Sequence, residues 1–267
     1  MFDFLFKKRR RAKLRRKPLT AKQRAAVRRH VPYVATLSAA DQRELEGHIQ
    51  VFLAEKRFEG CGGLAMTREI KLTIAAQACV LLLHRETDYY PGLESILVYP
   101  SAYVVRQVRR QLGSLVVEGD QVRLGESWRT GTVVLAWDAV RRGASNAGDG
   151  HNVVLHEFAH QLDAEDGNMN GAPDLGIRSL YSAWARTLGT EYDELLERVA
   201  AHQPTDIDAY GATSPAEFFA VVTEAFFEKG AQLKDNHPEL YEVLRAFYRQ
   251  DPAAAATLEQ AAPGAAV

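Results

Sequence analysis

The sequence predicts an α+β domain, mainly helical with a small antiparallel sheet, and three observations carry that prediction. Long segments with apolar residues at helical spacing lie on both sides of the chain's middle. Between Glu94 and Trp137 the period shortens, and glycines punctuate short β-rich runs. A composition of 46% hydrophobic and 25% charged residues over 267 positions can bury one continuous core.

The chain opens on MFDFLF and then KKRRRAKLRRK (7–17), which holds nine Lys or Arg before Pro18. Residues 1–18 read as a basic arm, flexible or peripherally helical, either solvated or touching an anionic surface. Residues 1–30 carry 13 Lys and Arg against one acid, Asp3, so the remaining 237 residues carry a net charge of −13. That balance opposes a polyanion-binding role for the rest of the chain.

Ser38 opens a helix candidate, SAADQRELEGHIQVFLAEKRF, and residues 67–86 form a second, largely buried one. The runs ESILVYP, GSLVVEG, QVRLGE and GTVVLAWD read as strands joined in hairpins. Helical periodicity returns over 151–163, about 178–202, 215–229 and 238–249. The Ala/Pro-rich residues 253–267 read as a disordered tail, which leaves 19–252 as the domain.

No run of about 18 apolar residues occurs, and MFDFLF is too short for a signal sequence, so neither a transmembrane segment nor export is expected. Cys61 and Cys79 lack metal-ligand spacing, which favours a reducing, cytoplasmic location.

The segment 156–160, His-Glu-Phe-Ala-His, is the most informative in the chain. At 100° per residue, Val154, Leu155, Phe158 and Leu162 share one side of the helix, while His156, His160 and Asp163 share the other. Imidazoles at i and i+4 project together and can hold one Zn²⁺ at about 2.0–2.1 Å, leaving room for a third ligand and water. Glu157 lies between them angularly, where a carboxylate can accept a proton from metal-activated water and pass it to a leaving amine. Asp163, seven residues after His156, suits either an orienting role toward a ligand or a plain polar helix end.

A third ligand must come from elsewhere. The metzincin solution requires glycine at position 163 and histidine at 166, where this chain has Asp163 and Asp166. The segment DAYGATSPAEFFAVVTEAFFEKG offers Glu217 and Glu224, seven residues apart on one helical face. Spacing does not choose between them, and Ser214-x-x-Glu217 is also a capping box, in which Glu217 would serve its own helix start.

HNVVLHEFAHQLD together with IDAYGATSPAEFFAVVTEAFFE resembles the Mlc titration factor A family of bacterial zinc peptidases, gluzincin-type enzymes related in their core to anthrax lethal factor. The resemblance extends from about Leu19 to Pro252. It implies a zincin-like domain with His156, His160 and Glu217 as zinc ligands, Glu157 as general base and Tyr210 as the hydroxyl that steadies the oxyanion. It leaves Glu224 as an outer partner. It also implies aminopeptidase-like cleavage of short peptides and capture of a Mlc-like transcriptional repressor. GTVVLAWD is then the edge strand expected to pair with an extended substrate. The alternative from a different class is a zinc-organised regulatory binding protein without significant turnover.

Overall fold

Helix starts in this chain are set by short polar side chains. Thr20, Ser38, Thr67, Asn152 and Ser214 each accept a hydrogen bond from a backbone N–H of the first helical turn, as expected for residues that satisfy otherwise orphaned donors. The computed structural model describes residues 2–101, 131–146, 148–176 and 178–254. Its first helices are α1 (Phe2–Arg15), α2 (Ala21–His30), the single turn α3 (Tyr33–Thr36) and α4 (Ala39–Glu55). The strand β1 (Arg57–Gly60), helix α5 (Arg68–Val80) and strands β2 (Ser95–Tyr99) and β3 (Thr132–Ala136) follow. The C-terminal half is helical: α6 (Trp137–Ser145), α7 (Val153–Asp163), α8 (Arg178–Ala200), α9 (Pro215–Glu228), α10 (Gly230–Asn236) and α11 (Pro238–Tyr248).

The basic arm takes the helical form of its two options, with α1 lying along α4. The sequence expectation of an antiparallel sheet is corrected. The sheet has the order β1-β2-β3 with both pairings parallel, Phe58 opposite Ile96 and Leu97 opposite Val134. Hairpins can join only antiparallel neighbours, whereas the chain leaves β1, runs through α5 and re-enters as β2 in the same direction. The expected strands GSLVVEG and QVRLGE lie outside the described residues, as does most of the expected tail. β1 itself was hidden in the predicted helix from Ser38, which in fact ends at Glu55.

Period-two burial places Ile96, Val98, Val133 and Leu135 in the core. Two helices run through that core. Nearly every residue of α5 is buried, and so is α9 from Ala216 to Phe227, the pattern of helices covered on all sides. α7 packs along α9 and drives Phe158 between Phe52 and Tyr90, with ring centroids 5.6 and 4.9 Å away. Truncating such a side chain to alanine costs about 3–5 kcal/mol. The same contact fixes the rotation of α7, and so the direction of its histidine face.

Candidate metal centre

α7 begins at Asn152, whose Oδ1 accepts the N–H groups of Val154 and Leu155, both at 3.1 Å. One turn in, His156 and His160 stack edge to face with centroids 4.9 Å apart. Their side chains are 12% and 0% exposed. Buried imidazoles demand polar partners, and α9 supplies them.

The Ser214 hydroxyl accepts the N–H of Glu217 at 3.2 Å, one half of a capping box. The Glu217 carboxylate is turned the other way, into the histidine pair. Its Oε2 lies 3.0 Å from His156 Nε2 and 3.3 Å from His160 Nε2, and the two Nε2 atoms are 3.3 Å apart. Two imidazole nitrogens and a carboxylate oxygen at such separations need a positive charge among them, which a proton on His156 supplies in the metal-free protein and a metal ion would supply in its place. Ligands held tetrahedrally at about 2.0–2.1 Å from one zinc ion stand roughly 3.3 Å apart, so the triangle has the size and the donor types that this ion takes. His156, His160 and Glu217 therefore fit a divalent metal. A second group, Asp41, Glu44 and His84, also brings ligand atoms together, but it lies nearer the surface and is already crossed by ion pairs to His48 and Arg15.

Glu224 meets the same imidazole from the opposite nitrogen. Its Oε1 lies 2.7 Å from His156 Nδ1, while its other oxygen accepts the N–H of Asn152. With the Nδ1 proton donated to Glu224, Nε2 of His156 faces Glu217 and His160, and its lone pair becomes available to a metal once the Nε2 proton leaves, the arrangement that orients metal-ligating histidines. One turn further along α9, Glu228 accepts Asn152 Nδ2 at 3.0 Å and the N–H of Gly150 at 3.1 Å. Burial, with Asp149 and Glu224 nearby, pushes the Glu228 carboxyl up to about 8. Asn152 and Glu228 had no signature in the sequence. They clamp the segment entering α7 to α9 and so fix where His156 starts.

Burial opposes charge on His156, yet the hydrogen bonds its ring donates to Glu217 and Glu224 outweigh it and hold its proton up to about 10. Burial brings His160 down to about 4, and the two imidazoles overcome burial of Glu217 and bring it down to about 2. In the metal-free protein, the raised His156 value contributes stability that is complete below about pH 6.5 and is lost as pH rises through about 10. At neutral pH His156 is thus the one member of the triangle that must release a proton to a metal. Apparent metal affinity is expected to rise about tenfold per pH unit from pH 6.5 to 8.5, and chelator competition at several pH values measures that slope. A flat profile would mean that no proton leaves with metal entry.

Glu157 follows His156 on α7, is 8% exposed and adds to the field that holds the His156 proton. Tyr210 sits on the 3-10 turn Ala209–Thr213 just before α9. Its ring lies 5.9 Å from that of His156 and is 41% exposed, so the phenol borders the site from the solvent side. Asp208 fixes this turn by accepting the N–H of Tyr210 at 2.8 Å, and it pairs with His151 at 3.4 Å. The buried Asp163 accepts the N–H of Gly171 at 2.9 Å. Gly171, at φ 77°, lies so close to Pro215 that a Cβ would fall 2.3 Å from its carbonyl oxygen. Asp163 thereby ties the end of α7 to a loop that abuts the start of α9.

Residues 5–249 match the model of the family described as glucose-regulated metallo-peptidase M90. An uncharacterized protein of Synechocystis is 48% identical over 237 residues, covering 88% of this chain and 86% of its own. Proteins named Mlc titration factor A from Yersinia pestis and Yersinia pseudotuberculosis are each 31% identical over 228 residues, covering 84% of this chain and 83% of theirs.

Proposed function

The chain belongs to the glucose-regulated metallopeptidase family M90, and from that membership we propose that it is a zinc-dependent peptidase of the gluzincin arrangement. His156, His160 and Glu217 are its metal ligands, Glu157 its general base and Tyr210 its oxyanion donor. The observation that supports this most strongly is the triangle of two Nε2 atoms and one carboxylate oxygen at 3.0–3.3 Å.

When bound, the metal would lower the pKa of water toward about 7 and polarise a carbonyl. The chain's own groups do the rest. Glu157, next to His156 on the same helix, accepts the proton of the attacking water and returns it to the leaving amine. The Tyr210 hydroxyl, at the exposed border, donates to the oxygen on which negative charge develops. Glu224 keeps Nε2 of His156 free by holding Nδ1–H. Among the described residues β3 lies at an edge of the sheet and contacts α7, so its outer backbone groups can pair with an extended peptide.

The substrates we propose are short peptides, cleaved in an aminopeptidase-like manner. A Mlc-like transcriptional repressor is a second proposed partner, supported by the name of the Yersinia relatives. The proposed location is the cytoplasm, in keeping with free Cys61 and Cys79; no described helix is long and apolar enough to cross a membrane. The test is turnover of a mixed peptide library, which a chelator should abolish and added zinc restore. Cleavage that persists through metal removal would refute the proposal.

Two substitutions separate roles within the site. Tyr210→Phe is expected to keep metal content and KM while kcat falls about 10²-fold or more, the order seen for one oxyanion donor; an unchanged kcat with lowered thermal stability would make Tyr210 a packing residue. Glu224→Gln is expected to lower metal affinity or activity about 10- to 100-fold, read by chelator titration at fixed pH. An unchanged titration would remove Glu224 from the site.

A further inference from the structure

The basic helix α1 is not used by the reaction, yet it is held firmly in place. Arg11 makes a two-pronged pair with Glu55 at 2.8 and 2.9 Å, donates to the carbonyl of Asp88 at 2.9 Å and lies over the Tyr89 ring at 4.7 Å. Lys7 pairs with Asp88 at 3.0 Å, and Leu14 packs on the core. Behind them α1 approaches α4 so closely that a Cβ on Gly47 would fall 2.9 Å from the carbonyl oxygen of Arg15. Lys7, Arg11 and Leu14 thus form one seam, and helical spacing puts Leu5, Arg9, Lys13 and Arg16 on the opposite face.

That outer face combines two chemistries. Leu5 and Phe6 are 50% and 65% exposed, the two most exposed large hydrophobic residues among those described. Lys8, Arg9, Lys13, Arg16 and Lys17 are exposed and form no ion pair with described residues. The remaining domain carries −13 from residue 31 onward, so the positive charge is confined to this end. Exposed apolar side chains beside clustered cations, on a helix fixed by its other face, match the interface of an anionic lipid bilayer, where the chains enter the headgroup boundary and the cations meet phosphates. Phosphate contacts along a nucleic acid would leave Leu5 and Phe6 unexplained.

We propose that the outer face of α1 docks this protein peripherally onto anionic membrane surfaces through Leu5, Phe6, Arg9, Lys13 and Arg16. The inference does not depend on the metal centre. Each basic residue near such a surface contributes about fivefold to partitioning.

The test is flotation of the full-length protein with vesicles of phosphatidylcholine alone and of phosphatidylcholine mixed with phosphatidylglycerol, at low and high salt. The expected result is binding to the anionic vesicles only, weakened by salt. Replacing Arg9, Lys13 and Arg16 together by Gln should lower partitioning about 100-fold, and Leu5→Ser with Phe6→Ser about 10-fold. Hydrogen exchange on the unmodified protein gives an independent reading, with slowed amide exchange in α1 on anionic vesicles. Failure of the folded protein to float with anionic vesicles would overturn the proposal. So would binding that ignores the Leu5/Phe6 change and is displaced by single-stranded DNA, the behaviour of a simple polyanion site.

Discussion

Glu157→Gln is expected to bind metal as the unmodified protein does while peptide turnover falls by about 10²–10⁴-fold, the range that a positioned acid–base group contributes. The amide has nearly the same shape, so the packing of α7 is preserved, but at neutral pH it neither accepts the water's proton nor returns one to the leaving amine. Glu157 is outside the ligand triangle, which is built from His156, His160 and Glu217. Metal titration and kcat measured on the same preparation separate the two functions. Comparable hydrolysis by the variant would remove Glu157 from the proton transfer. Capture of a Mlc-like repressor, if it uses the surface rather than the reaction, should survive the substitution.

Glu217→Gln is expected to have the opposite signature. Removing the carboxylate takes away the only anionic member of the triangle, leaving a weak amide oxygen beside two imidazoles. Metal affinity should fall well beyond the 10- to 100-fold typical of an outer partner, and turnover should fall with it. The Ser214 hydroxyl still accepts the backbone N–H at position 217, so α9 keeps its cap. A variant that retains wild-type chelator resistance but loses about 1 kcal/mol of stability would instead make Glu217 a capping residue.

The contrast between Glu217 and Glu224 marks where the sequence stopped being informative. Both fall on one face of α9, and periodicity alone left them equal. In the structure they address the same imidazole from opposite sides, Glu217 at Nε2 and Glu224 at Nδ1, a distinction set by which nitrogen faces which turn of α9. The helices that carry the site were legible because local signals agree: helical spacing in both, and Ser214 at the start of α9. Asn152 and Glu228 were not legible as a clamp because they meet across 76 positions of chain and each is unremarkable locally.

Strand direction was lost for a related reason. Ile96, Val98, Val133 and Leu135 announced strands through alternation, but alternation carries no information about the partner. In β1 only Phe58 is a large apolar residue, and the strand gains its identity from pairing with β2. The glycines between Glu94 and Trp137 suggested hairpins, yet the pairing between β1 and β2 is set by α5, which returns the chain to the same end of the sheet.

The single metal centre proposed for His156, His160 and Glu217 underlies each of these expectations. It is tested most directly by the metal bound per chain at neutral pH after equilibration with zinc and removal of excess, comparing the unmodified protein with His156→Ala and His160→Ala. One tightly held zinc ion is expected in the unmodified protein and none in either folded variant. An unmodified protein that retains no zinc, or variants that hold it equally well, would contradict it.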